Sequence, residues 1–193
     1  FFLIVAVAAC GLYVMIDPFV EDIWLGKTFG WDSASVFLSV TGCIFLGIGQ
    51  PIAVVMAVSG LFHREKTLSV LSSVVNLIVS IALVIPFGTA GVLLGTCLAY
   101  LIQIGYRIYF FFHEYVKMDE KRYVFDLLEY GVLIAVEVIV TKQVVHLVYC
   151  QSLLTFLLGV GICVFIPMTI NVSIFCRSGR LKSVKQLFSS VRR

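Results

Sequence analysis

The sequence predicts an all-α membrane protein with six transmembrane helices. Three observations carry that prediction. Between Lys66 and Arg107 lie forty consecutive residues without a charged side chain. The chain is 61% hydrophobic and 13% charged, whereas soluble domains are roughly 25% charged. Twelve of the fourteen lysines and arginines fall at one set of helix ends. A helix of about 20 apolar residues spans the roughly 30 Å hydrocarbon core of a bilayer. Forty such residues, broken only by Pro86-Phe87-Gly88, read as two spans joined by a tight turn.

The expected spans follow in order. The first is Phe1 to Ile16, which starts inside an apolar stretch without Met. It has neither the basic start nor the small-residue cleavage site of a signal peptide. Residue 1 is therefore expected to be an artificial boundary of a longer protein. The second span is Ala34 to about Phe62, the third about Leu68 to Pro86, and the fourth Thr89 to about Phe112. The fifth, Leu127 to Tyr149, is the most polar, since it contains Glu129, Glu137 and Lys142. The sixth is Ser152 to about Cys176. The chain divides into four helices over residues 1–112, a cytoplasmic loop over 113–126, two additional helices over 127–176 and a basic cytoplasmic tail over 177–193.

Positive residues stay on the cytoplasmic side during insertion. Arg64, Lys66, Arg107, Lys117, Lys121, Arg122 and six tail residues mark that side, with only Lys27 and Lys142 opposite. The loop from Asp17 to Ser33 and the Pro86–Gly88 turn are then outward, and the C-terminus is cytoplasmic. The outer loop carries Phe19, Trp24, Phe29 and Trp31, rings that favour the headgroup layer. The tail places Leu181, Val184, Leu187, Phe188 and Val191 at helical spacing among basic residues. That pattern suits a surface helix on anionic inner-leaflet lipids.

Small residues recur every three or four positions: Gly49, Ala53 and Ala57 in the second span, and Gly88, Gly91, Gly95 and Ala99 around the fourth. Such stripes let helix backbones approach, since lipid gives no hydrophobic push between helices. Gln50-Pro51 lies mid-span, and Pro removes a backbone hydrogen bond there, so Pro51 is a packing kink or a hinge. Asn76 and Gln103 either bond to neighbouring helices or line an aqueous path. Glu137 is the most expensive group: a carboxylate at mid-membrane depth costs about 2.5 kcal/mol or more. It has to be protonated, paired or facing water. The six cysteines sit in or beside apolar runs without metal-ligand spacing and are read as packing residues, with neither disulfide nor metal.

The H-E-x-x-H, G-x-S-x-G and G-x-x-x-x-G-K-[ST] signatures are missing. The chain is therefore expected not to be an enzyme and to need no cofactor. A net charge of +3 does not suggest nucleic acid. Residues alone lead to part of a polytopic membrane bundle connected with transport.

Particular segments extend this. The loop DPFVEDIWLGKTF resembles the "PFI-x-x-WLG-x-x-[FY]" outer loop of bacterial polysaccharide flippases. The stretch NLIVSIALVIPFGTAGVLLGT, Asn76 to Thr96, resembles their "N-L-x-x-S-I-x-L-V-x-x-F-G-x-x-G-V-x-x-G-T" helix pair, and YRIYFFFHEYVK continues the order. These are the O-antigen, capsule and teichoic-acid exporters of the multidrug/oligosaccharidyl-lipid/polysaccharide superfamily. The resemblance covers about Asp17 to Arg122. It implies the C-terminal portion of a two-lobe transporter bundle of about fourteen helices. It also implies outward flipping of undecaprenyl-diphosphate-linked oligosaccharide across the bacterial plasma membrane by alternating access. Arg64, Lys66 and Arg107 would meet the diphosphate at the cytoplasmic rim. Gln50, Asn76, Gln103 and Glu137 are the further candidates along the substrate path, and glycan polymerases or ligases are the implied protein partners. Two other readings compete: a drug or toxin exporter of the same superfamily, and a non-transporting scaffold that docks glycan-assembly enzymes through its tail.

Overall fold

A computed structural model of the protein describes residues 1–24, 26, 32–116, 120–148 and 152–177. All secondary structure among these residues is helical. Helix α1 (Phe2–Pro18) runs into a π-helical turn, Phe19–Trp24. Helix α2 is Ser33–Val58, and α3 is Phe62–Tyr109, prolonged by a second π-helical turn at Phe110–Val116. Helices α4 (Lys121–Val148) and α5 (Leu153–Arg177) complete the described helices. Among the described residues four helical stretches are long and apolar enough to cross a membrane: Phe2–Trp24, Ser33–Val58, Phe62–Tyr115 and Leu153–Phe175. Helix α4, which carries Asp126, Glu129, Glu137 and Lys142, is not among them.

Parts of the segment expected as the loop over residues 113–126 are helical in the structure. The chain remains helical to Val116 and is helical again from Lys121. Charge and aromatic content lowered the apolar signal there without weakening the local preference for helix. Phe29, Trp31 and the basic tail beyond Arg177 lie outside the described residues.

The third and fourth expected spans are the two arms of α3. A single residue inside it leaves helical geometry: Gly88, at φ 57° and ψ −135°. A side chain disfavours that region, so glycine is what lets the chain reverse there. The arms then run antiparallel along their whole length, with Ser80 against Val92, Ser72 against Ala99 and Glu65 against Arg107. Close approach depends on Gly91, where a Cβ would lie 2.1 Å from the Leu83 carbonyl oxygen. The small-residue stripe around the fourth span is therefore the seam of this hairpin.

Helix α2 packs on the hairpin, and α1 packs on α2, α4 and α5. The core around α1 is built from Val5, Ala6, Ala9, Cys10 and Val14 with Val40 of α2, Ile134 and Val138 of α4 and Cys163 of α5. Phe2 stacks on Tyr130 at 4.1 Å, which fixes one end of α1 against α4. A second cluster, Ile52, Met56 and Phe110 with Phe112 and Tyr123, joins α2, the end of α3 and the start of α4. Arg64, Arg107, Lys121 and Arg122 thus share one end of the bundle, while Gly88 marks the other. Much of the outer surface is aliphatic, with Ile85 85% and Leu147 84% exposed, as suits a lipid-facing wall.

Asp32 caps α2, where its side chain accepts a hydrogen bond from the Ser35 amide at 3.1 Å. The hydrogen bonds from Ser35 hold the Asp32 carboxyl below its usual value. Its capping contribution is therefore present above the ordinary carboxylate range and lost as pH falls through the depressed value. Thermal unfolding in lipid or detergent is expected to show that acid-side loss in the parent protein and not in Asp32→Ala. In the hairpin, Gly91→Ala is expected to lower stability by about 1–3 kcal/mol or more through overpacking. Gly105→Ala, where nothing lies within 4 Å of the new Cβ, leaves stability unchanged or raises it.

Candidate functional site

The polar residues of the hairpin bond across its seam. The Ser80 hydroxyl donates to Asn76 Oδ1 at 3.0 Å or to the Val92 carbonyl at 3.2 Å. Thr96 Oγ1 lies 3.4 Å from Asn76 Oδ1, and Ser72 Oγ donates to the Ala99 carbonyl at 3.1 Å. Gln103 Nε2 donates to Ser69 Oγ at 3.3 Å. These positions recur every three to four residues on each arm, one rung per helical turn. Of the residues expected along a substrate path, Asn76 and Gln103 are thus brought together on this seam, engaged with the opposite arm.

At the foot of the seam Arg107 makes a forked contact with Glu65. Nε donates to Oε1 at 3.0 Å and Oε2 at 3.2 Å, and Nη2 also donates to Oε1. The two side chains are 7% and 15% exposed. Nη1 reaches across to the Gly49 carbonyl at 3.4 Å. A Cβ at Gly49 would lie 3.0 Å from that nitrogen, so the small residue leaves room for the guanidinium. Arg107 therefore ties three helical segments together. Arg's planar fork suits such bidentate pairing with a carboxylate. Its engagement with Glu65 differs from the expected rim position open to a diphosphate: the positive charge is already matched. Arg64 and Lys66 are exposed, and the Arg64 guanidinium lies over the Phe110 ring at 5.5 Å. Gln50 and Pro51 are half-buried within α2, which continues through both to Val58.

Glu137 stands apart from this group, at the junction of α1, α4 and α5. It is fully buried. Its Oε1 accepts from Asn171 Nδ2 at 2.7 Å, and the same amide donates to the Pro167 carbonyl at 2.9 Å. Among the described residues Oε2 has no hydrogen-bond partner. Thr141, one turn on, lies 3.7 Å from the Cys10 sulfur. Lys142 turns outward, with its ammonium 4.8 Å from the centre of the Tyr13 ring.

A cleft of about 520 Å³ opens between α2, the second arm of α3 and α4. Ile44, Ile48, Leu101, Ile104, Leu128 and Val132 are among its walls, and its surface is almost wholly apolar. The Phe112 and Tyr123 rings, 5.3 Å apart, join α3 to α4 near its end.

Two partnerships escaped the sequence reading: Glu65 with Arg107, and Asn171 with Glu137. The first was detectable. Glu65 and Arg107, Ser69 and Gln103, and Asn76 and Thr96 are mirror positions about Pro86, so the expected turn already pairs them. The second had no such signal, because α4 and α5 meet in a register that no short turn dictates. Comparison with protein-family models, with curated proteins and with solved structures finds no match to this chain.

Breaking a buried ion pair by removing one partner leaves the other charge unmatched and costs about 3–5 kcal/mol. Arg107→Leu and Glu65→Leu are each expected to lower the thermal midpoint strongly, whereas the double substitution recovers much of the loss. Unfolding of the purified single and double variants checks this.

Proposed function

We propose that this chain is the C-terminal part of a bacterial plasma-membrane transporter that flips lipid-linked oligosaccharide outward by alternating access. In this reading six helical segments cross the membrane, the two arms of α3 and the more polar α4 included. The end bearing Arg64, Lys66, Lys121 and Arg122 faces the cytoplasm, as the preference for internal positive charge requires. The Pro86–Gly88 turn and the Phe19–Trp24 segment face outward.

The observation that carries the proposal is the flippase-like stretch from Asn76 to Thr96. Its resembling positions coincide with the working parts of the hairpin: Gly88 at the reversal, Gly91 and Gly95 at the close approach, and Asn76, Ser80 and Thr96 on the rungs. A substrate with a long hydrocarbon anchor also suits the apolar cleft beside α4, since lipid-facing grooves favour apolar chains. Arg64 and Lys66 supply exposed positive charge for a diphosphate at the cytoplasmic rim. Arg107 works differently, locking α2 to the base of the hairpin. Asn76 and Gln103 tie the two arms of the hairpin together, and Pro51, which leaves the Gly47 carbonyl without its usual backbone partner, supplies the point at which α2 can bend.

Reconstitution of the full-length protein in proteoliposomes tests this. Time-dependent protection of a fluorescent undecaprenyl-diphosphate oligosaccharide from an external glycosidase is expected, and Arg64→Ala/Lys66→Ala slows it. Transport of a cationic dye without movement of the glycan lipid would instead indicate a drug exporter. Movement of neither, with capture of a glycan polymerase or ligase, would indicate a scaffold.

A further inference from the structure

The buried junction of α1, α4 and α5 contains a carboxyl group that the transport reading does not use. Glu137 is 0% exposed, one oxygen has a single donor, Asn171, and the other has no partner. Among the described residues, each element packed around it contributes neutral groups. Helix α1 presents Cys10 among Val5, Ala6, Ala9 and Val14, α2 reaches the cluster with Val40, α4 adds Thr141, and α5 presents Cys163 and Asn171. The nearest cation along α4 is Lys142, which is exposed and turned onto Tyr13, and Glu129 is exposed two turns before.

An ionised carboxylate in such surroundings would be a bare charge in a low-dielectric core. Unpaired buried charges carry penalties of several kcal/mol. A neutral carboxylic acid fits the same geometry. Its carbonyl oxygen accepts from Asn171, and its hydroxyl oxygen carries the proton. Asn171 is itself fixed, because its amide also donates to the Pro167 carbonyl at 2.9 Å. It therefore presents a donor to Oε1 and contributes no positive charge.

We infer that Glu137 is an intramembrane proton site, occupied in this arrangement and emptied only when α5 separates from α4. In the closed arrangement Oε2 holds the proton. When α5 shifts and water enters between the helices, the O–H bond breaks, the proton passes to that water, and the carboxylate left behind is solvated. Closing again requires a proton to return from water to Oε2. The carboxyl thus couples helix separation to proton release, whatever substrate the protein moves, so the inference stands independently of the glycan proposed above.

Infrared difference spectra of the full-length protein in lipid vesicles test the proton directly. The parent protein at neutral pH is expected to show a carbonyl band of a protonated carboxylic acid that is absent from Glu137→Gln. Asn171→Leu removes the donor and shifts that band to higher frequency. Glu137→Gln and Glu137→Leu both keep the site neutral, so both are expected to fold with thermal midpoints close to the parent. A readout of helix separation accompanies it. On raising the pH, Cys10 and Cys163 of the parent should become several-fold more reactive to a membrane-permeant maleimide than the same thiols in Glu137→Gln. Loss of folding in both neutral variants, or no protonated-acid band assignable to Glu137, overturns the proposal. So does a sodium-dependent rise in the parent's thermal midpoint that Glu137→Gln abolishes, since the occupant would then be a metal cation and not a proton. Equal thiol reactivity in parent and variant across the pH range overturns the link to helix separation.

Discussion

A polar side chain inside a hydrocarbon layer has no water to return to, and its partner has to come from another helix. That constraint organises both polar regions of this protein. Along the α3 hairpin it produces a ladder in which Ser72, Asn76, Ser80, Thr96 and Gln103 find acceptors or donors on the facing arm. At the ladder's foot it produces the Arg107–Glu65 pair, with the Gly49 carbonyl as a third attachment. Each individual bond contributes modestly, about 0.6 kcal/mol on average in membrane helices. Their value lies in register: sliding one arm by a turn would leave several buried polar groups without partners at once.

The same constraint gives glycine its role. Hydrogen bonds between helices and to opposing carbonyls require backbones to come close, and Gly91 and Gly49 provide that closeness where a methyl group would meet a carbonyl or a guanidinium. The reversal at Gly88 sets the mirror register, Gly91 sets the distance, and the polar rungs occupy the space that results. Helix α2 joins this unit through Arg107, while α4 and α5 gather around α1. The apolar cleft lies where these two groupings diverge, bounded by α2, α3 and α4.

The oligosaccharide-flippase proposal and the proton-site proposal at Glu137 rest on different parts of the fold and do not depend on one another. The first rests on motifs concentrated in the hairpin and in the sequence before α2. The second rests on packing in the other group. Their separation also accounts for the differing fates of the candidate residues: Asn76, Gln103 and Arg107 converge on one seam, Gln50 lies beside it, and Glu137 is buried elsewhere.

Helical character, the hairpin turn at Pro86–Gly88 and the concentration of basic residues at one end were all legible in the amino-acid order. They depend on local rules: apolar run length, the conformational freedom of glycine and the distribution of charge. Even the pairing of Glu65 with Arg107 was implicit, because a tight turn converts distance along the chain into distance across the seam. The helical turns on either side of the connection before α4 were not legible, since an aromatic and charged segment reads as a break in hydropathy while still forming helix. Nor was the burial of Glu137. Only the packing of α1 and α5 around α4 decided which of its neighbours would be Asn171 and which oxygen would have none, because contacts between elements joined by no short turn are set by the fit of whole helix faces and by nothing local.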